Sequence, residues 1–362
     1  MAVWCGYNSL CWTGRFGSGG GGVDESEKGP DQELKELQTV RLEEAPMKRG
    51  ADLRAVKDMH SVRSVEVVNL LDRMYEAGGF MAKSLSEVAR VLVTMSRDPK
   101  CTKFLSFPAA PVATGLRGVL VEMVNEGLVD IIVTASGTLD HDVARTYADY
   151  YHGDFQMDDR RLHREGYHRL GNLLLPLDNY GPLIERKVQP FLSRLYSGGR
   201  RSLSSRELCR ELGEVLDSND SLLCAASRKN VPVFVPGIMD GAVGSQLWLF
   251  AQQHRDFRID VIQDQNDLSD LVYGSKRTGA VIIGGGISKH HVLWWNLFKG
   301  GLDYACYITT AAEYDGSLSG AQVREAISWG KVKETAKTAT LYAEATAVLP
   351  LIVSYALTKL GR

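Results

Sequence analysis

The chain has no run of apolar residues approaching the roughly 18 needed to cross a bilayer, so no membrane span is expected. Its N-terminus lacks the charged-then-apolar order of a secretion signal. Cysteine is sparse: Cys5, Cys11, Cys101, Cys209, Cys224 and Cys306 lie far apart, with no CxxC pair and no disulfide framework. That usage fits a reducing cytosol, hence an expected cytoplasmic location. Cys101, Cys224 and Cys306 fall in or near apolar runs and read as buried thiols. Charge of one sign is also missing. A formal net charge of −2 gives no reason to expect nucleic acid or a membrane surface as partner. Eight histidines are scattered, and only His290 and His291 are adjacent. No Cys or carboxylate stands at ligand spacing from them, so no metal site is expected. No internal repeat appears.

What the chain does have is enough apolar residue for a real core, 44% of 362 positions, in one large α/β domain or two small ones. Residues 1–45 are a poor core builder. They hold a glycine-rich linker at 17–22, a charged stretch at 24–36 that could be a solvated helix, and Trp4 and Trp12 as candidates for docking. Beyond them, Val67, Val68, Leu71 and Met74 recur at helical spacing, as do Leu85, Val88, Val91 and Leu92, with Gly78-Gly79 between. Short apolar runs at 104–107, 129–134, 231–235, 280–283 and 304–308 read as strands alternating with helices. That alternation predicts a parallel sheet covered on both sides, with ligands at the carboxyl ends of its strands. Residues 135–138 read as a strand's exit loop, 154–172 as a polar, basic excursion, and 340–360 as a final apolar helix.

The stretch from Thr278 to Lys331 carries the chemistry. Ala280 to Ile283 is a β-branched run that suits a strand buried on both faces, and Gly284-Gly285-Gly286 follows it. Glycines let the backbone turn sharply and approach a ligand, and residues 292–298 then read as a helix. Strand, glycine turn and helix start place N–H groups where a phosphate could sit. A bare triplet is weak support for that. Lys331 follows Trp329 and lies six residues after Glu325. A lysine against an aromatic wall can lose solvation and act as an amine nucleophile. The pattern alone leaves open an ordinary solvated surface lysine.

Several separate motifs occur together in one order. They are Gly171-Asn172-Leu173-Leu174 with Pro176 and Asn179-Tyr180; Pro232-Val233-Phe234 with Asp240-Gly241; Gly284-Gly285-Gly286 with Lys289-His290-His291; Asp315-Gly316-Ser317 with Ser319-Gly320; Glu325 with Ser328-Trp329-Gly330-Lys331; and Tyr342-Ala343 with Pro350-Leu351. From about Arg49 to the C-terminus the chain resembles deoxyhypusine synthase. The resemblance implies an α/β fold, a Rossmann-like parallel sheet with helices on both faces, as a single large domain over 46–362. It implies an enzyme that oxidises spermidine with NAD. The aminobutyl group passes first to an enzyme lysine as an imine, then to a lysine of the precursor of translation initiation factor 5A. By that resemblance Lys331 is the imine-forming lysine, His290 stands near the amine end, and Glu325 and Trp329 flank the polyamine. Gly316, Ser317 and Asp140 fall with the spermidine positions. Gly137, Asp240, Gly285, Thr310, Ala311, Glu344 and Ala345 fall with the NAD positions, Glu344 replacing the family's usual Asp.

Departures from the family pattern are concentrated. Pro108, Ala109, Ala110 and Ala113 stand where the family has hydrogen-bonding residues for the dinucleotide, and Ala135 and His141 replace a Thr and a Glu. Ser245 and Leu318 replace polyamine-binding acids. Removing one carboxylate from a buried ammonium costs a few kcal/mol, about a hundredfold in affinity, so several losses should cripple a self-contained site. Yet 315–331 is intact apart from Leu318, whereas drift would erode all motifs alike. The family builds its sites between two chains. The expectation is therefore a divergent, catalytically impaired subunit that completes a composite site with a paralogous partner in a heterotetramer, as in the paired deoxyhypusine synthase subunits of trypanosomatids. The rivals are a self-sufficient homotetramer, a silent regulatory subunit and homospermidine synthase.

Overall fold

The computed structural model describes residues 53–362. The expectations for the tail, including Trp4, Trp12 and the charged stretch at 24–36, lie outside the described residues. Helices α1 (Val65–Ala77) and α2 (Phe80–Arg97) form where the apolar spacing predicts them, and Gly78 breaks them apart at φ +71°. Strand β1 (Cys101–Phe107) leads through a one-turn helix α3 (Ala110–Ala113) and α4 (Leu116–Asn125) to β2 (Ile131–Thr134) and α5 (Ser136–Tyr147). After it come β3 (Tyr151–His152), α6 (Asp159–Arg164), β4 (Tyr167–Leu170) and β5 (Leu173–Pro176). Next are α7 (Gly181–Ser197), β6 (Ser202–Leu203), α8 (Ser205–Val215), α9 (Leu222–Arg228), β7 (Val233–Phe234), α10 (Ala242–Gln253), β8 (Arg258–Ile259) and α11 (Val261–Gly274). The C-terminal half of the sheet is built from β9 (Arg277–Ile283), α12 (Gly286–Leu297), β10 (Leu302–Thr309), α13 (Val323–Ser328), β11 (Val332–Tyr342) and α14 (Ala345–Leu360).

Six of these strands form one parallel sheet in the order β11-β10-β9-β1-β2-β7. Alternate residues serve opposite faces. Leu105, Phe107, Val281, Ile283, Cys306 and Ile308 pack with α1, α2, α4 and α14, while Phe104, Ala280, Ile282, Ala305 and Tyr307 pack with α11, α12 and α13. Both faces are therefore covered, which is why the strand runs read as continuously apolar. The strands after β1 run outward to one side as β2 and β7. Those of the second half run outward to the other side as β9, β10 and β11. The order reverses between β1 and β9, and a crevice opens there at the carboxyl ends of the strands.

Two expectations need correction, and a third gains detail. Residues 136–138 are not an exit loop but the first turn of α5. The excursion at 154–172 is ordered, with α6 and β4, and β4 joins a small antiparallel sheet β3-β5-β4. The final helix starts at Ala345, because residues 340–342 complete β11 at the sheet edge. The sequence of β11 hides a strand by carrying Lys333, Glu334 and Lys337, charges that keep an open edge from pairing with another chain. Cys101, Cys209, Cys224 and Cys306 are free and buried. Among the described residues no helix is long and apolar enough to cross a membrane, and no cluster of three or more His, Cys, Asp or Glu is placed to hold a metal.

Candidate active site

Two neighbouring cavities share the segment 318–321 as a wall. The larger, about 540 Å³, lies at the switch point between β1 and β9. Pro108, Ala110 and Pro111 form one side of it, and Ile283 through Gly286 another. Gly284 and Gly286 have φ +67° and +74°, a region that favours glycine. Gly285 is extended, but a Cβ there would lie 2.2 Å from Ser319 Oγ and 2.4 Å from Ser319 Cα. The turn at Ser319-Gly320 thus rests directly on the glycine backbone. The start of α12 has no side-chain cap, leaving its N–H groups and the positive end of its dipole facing the cavity. Thr310, Ala311, Glu344 and Ala345 line the same space. Glu344 is exposed and caps α14, accepting from Ala347 N at 3.2 Å and from the Thr346 hydroxyl.

The smaller cavity, about 310 Å³, holds Lys331, His290, Glu325 and Trp329 together. Lys331 is pinned where α13 meets β11: its N–H donates to Ala326 O at 2.9 Å, and its carbonyl accepts from Leu302 N at 3.0 Å. Gly330, at φ +68°, makes the sharp exit from α13 that turns Lys331 inward. The Lys331 side chain is buried, its Nζ 4.9 Å from the Trp329 ring centroid and 5.9 Å from that of Trp294. Among the described residues this ammonium makes cation–π contacts and no ion pair. His290 stacks on Trp294 with centroids 5.7 Å apart and 18° between planes. Partial burial, then repulsion from the Lys331 cation, hold the His290 imidazole below its usual pKa, so it is neutral at pH 7 and can accept a proton.

The sequence reading missed two residues here. Lys289, almost fully buried, forms the cavity floor: its Nζ donates to Leu318 O at 2.6 Å and Ala321 O at 2.9 Å and sits 4.1 Å from the Tyr307 ring centroid. Burial lowers its pKa to about 8, partly opposed by Glu325. The only signal was its place inside the Lys289-His290-His291 motif. Trp294 had no signal beyond helical spacing.

The structure does not gather every candidate around Lys331. Gly316 and Ser317 lie on an exposed turn, where Ser317 N and Oγ both donate to Asp315 Oδ1 at 2.7 Å. Asp140, on α5, is buried against the start of α10. Its oxygens accept from Val243 N and Ala242 N at 2.8 Å and from Tyr180 OH at 3.0 Å, so it caps that helix and does not line the Lys331 cavity of its own chain. Burial raises its pKa despite these donors. Gly241 is required beside it, since a Cβ would lie 2.7 Å from Asp140 Oδ2. Asp240 is exposed next to this cap. His141 is buried, with Nδ1 3.0 Å from Tyr150 OH, and burial lowers its pKa to about 4. Gly137 lets α5 pack against the β1 exit, where a Cβ would sit 2.8 Å from Ala109 Cβ. Ser245 only back-bonds to Gly241 O within α10, and Leu318 lines the Lys331 cavity as an apolar wall.

The family profile described as deoxyhypusine synthase matches residues 69–356. A protein of Picrophilus torridus named probable deoxyhypusine synthase is 48% identical over 299 residues, covering 83% of this chain and 96% of its own. Proteins of the same name from Thermoplasma acidophilum and Ignicoccus hospitalis are each 47% identical, covering 83% and 85% of this chain and 96% and 97% of their own. Among solved structures, a candidate deoxyhypusine synthase from Entamoeba histolytica superposes with a TM-score of 0.56 at 19% identity, covering 79% of this chain and 91% of that one, a likeness of fold.

Proposed function

Because the chain belongs to the deoxyhypusine synthase family, we propose that it transfers the aminobutyl group of spermidine, with NAD, to a lysine of the translation initiation factor 5A precursor, and that Lys331 carries the group in transit. The observation that supports this most is the buried Lys331 ammonium, in cation–π contact with two indoles and without a counter-ion among the described residues, beside a cavity at the sheet's switch point. The residues of the larger cavity fit a dinucleotide. Uncapped amides of α12 suit the pyrophosphate, Glu344 suits a ribose hydroxyl, and among the described residues no Lys or Arg lines the space to receive a 2′-phosphate. When bound, NAD would accept hydride from the carbon beside the polyamine's secondary amine and return it at the end.

The chain's own residues supply the rest. Glu325 pairs with one ammonium, and the Trp329 face holds the chain of the polyamine. Neutral His290 takes the proton that the secondary amine must lose. Lys331, once deprotonated to its free amine, bonds through Nζ to the oxidised carbon, and the hydrogens Nζ gives up leave with the departing 1,3-diaminopropane, so that a C=N link to the four-carbon group remains. The acceptor lysine then displaces Lys331, which recovers its free amine. The two cavity walls keep water from hydrolysing that link.

Asp140, Asp240 and Gly137, with Gly316 and Ser317 on their exposed turn, serve an adjoining subunit in this reading, as the family's two-chain sites imply. In this reading one chain carries the residues of both halves, and the relatives it matches are covered over 96% of their own length. A second copy is therefore the partner we favour. A paralogous partner is the second reading, carried by Leu318 and Ser245, neither of which offers a carboxylate. A cytoplasmic location follows from the proposed acceptor.

The test is aminobutyl transfer by the chain purified alone. Turnover at the level of an intact family member supports the second copy. Negligible turnover restored by a co-expressed paralog supports the paralogous partner. If Lys331→Ala then leaves the active complex unchanged, Lys331 is a relic in a silent regulatory subunit and the reading fails. Transfer to putrescine in place of the protein lysine would make the chain a homospermidine synthase.

A further inference from the structure

Trp294 belongs to none of the motifs that point to the reaction, yet its ring, like that of Trp329, makes a cation–π contact with the Lys331 ammonium, at 5.9 Å and 4.9 Å to the centroids. It lies on α12 one turn after His290 and one turn before Phe298. The three rings form a ladder: His290 stacked on Trp294, and Phe298 edge-on to it at 5.6 Å and 88°. The core-facing side of α12 is made instead by Ser288, Lys289, Val292, Leu293 and Asn296. Trp294 remains 43% exposed, so this indole is not packing the core. Among the described residues the cavity it lines has a single carboxylate, Glu325, and Leu318 adds an apolar wall. Spermidine carries three ammonium groups at neutral pH. Glu325 is the one carboxylate that this chain's described residues bring to the cavity, so aromatic faces supply part of its own attraction for this trication.

We propose that Trp294 is a positioning and specificity residue for the polyamine. Its indole is the second wall of an aromatic slot that holds the four-carbon segment against Lys331, and it fixes the ring of His290. It does by cation–π attraction part of what a carboxylate at position 318 would do by ion pairing. The proposal rests on the reading of Lys331 as the group-carrying amine. An aromatic slot is less demanding of charge position than a carboxylate, so it should favour polyamines with a long apolar spacer over short diamines.

The experiment measures Kd for spermidine by calorimetry with NAD present, and kcat and KM for transfer, on the full chain in its active complex. Trp294→Leu is expected to raise Kd and KM about tenfold with a smaller change in kcat, and Trp294→Phe to keep most of the affinity. Adding Leu318→Asp to Trp294→Leu is expected to restore affinity, which a merely structural role for Trp294 could not produce. Circular dichroism and native mass check that each variant folds. If Trp294→Leu is folded and binds spermidine as the parent does, or if Trp294→Phe is as impaired as Trp294→Leu, the proposal fails. If the parent complex binds no spermidine, it also fails. Lys331→Ala separates the two ideas. Full activity without Lys331 sinks both, whereas an inactive Lys331→Ala beside a normal Trp294→Leu sinks only this one.

Discussion

Replacing Lys289 with Met tests the floor of the site most sharply. The side chain fits a similar volume but removes the ammonium that donates to Leu318 O and Ala321 O. Two carbonyls lose a charged donor, at a cost of about 1–3 kcal/mol each if no water replaces it. Against that, burial makes the charge expensive. A pKa lowered from 10.5 to about 8 corresponds to roughly 3 kcal/mol that the folded state spends to keep Lys289 protonated. The two effects nearly offset at pH 7, so stability should change little. The pH dependence does not cancel. The folded pKa lies below the unfolded one, so between about 8 and 10.5 the unfolded chain binds more protons. Stability from this group therefore rises with pH through that window. Linkage gives about 2 kcal/mol gained by the parent between pH 7 and 9.5, and none by Lys289→Met. Urea denaturation at both pH values measures the difference. Activity should fall at every pH, because residues 318–321 wall both cavities and lose their tether. Identical pH slopes for parent and variant would refute the reasoning about burial. Unchanged activity would refute the tether.

Two further outcomes follow from the site's supports. Asp140→Ala strips the acceptor from Ala242 N, Val243 N and Tyr180 OH, so thermal unfolding should show a loss of about 2–4 kcal/mol, with Asp140→Asn costing less. Gly285→Ala puts a Cβ 2.2 Å from Ser319 Oγ and should displace the Ser319-Gly320 turn. A stability loss of about 1–3 kcal/mol and a weakened Kd for NAD, read by calorimetry, are expected.

Much of the fold was legible because its signals are local. Val67 to Met74 and Leu85 to Leu92 repeat at helical spacing, and the runs ending at Phe107, Ile283 and Ile308 are apolar because both faces are covered. The strand β11 was not legible. An edge strand needs charges for protection, and Lys333, Glu334 and Lys337 erase the apolar run that marks a strand. Asp140 could not be read as a cap, because the amides it holds lie about a hundred residues away on α10.

The order of residues alone determined the alternation of strands and helices and the glycine turn after β9. Each depends on backbone preference and near-neighbour pattern. Only the folded molecule decided that Trp294 and Trp329 both contact Lys331, that Lys289 reaches under residues 318–321, and that two cavities share one wall. Those facts depend on α12 and α13 packing on the same side of the sheet. Burial, ring contact and the cost of a buried charge arise between segments, and no stretch of chain carries them by itself.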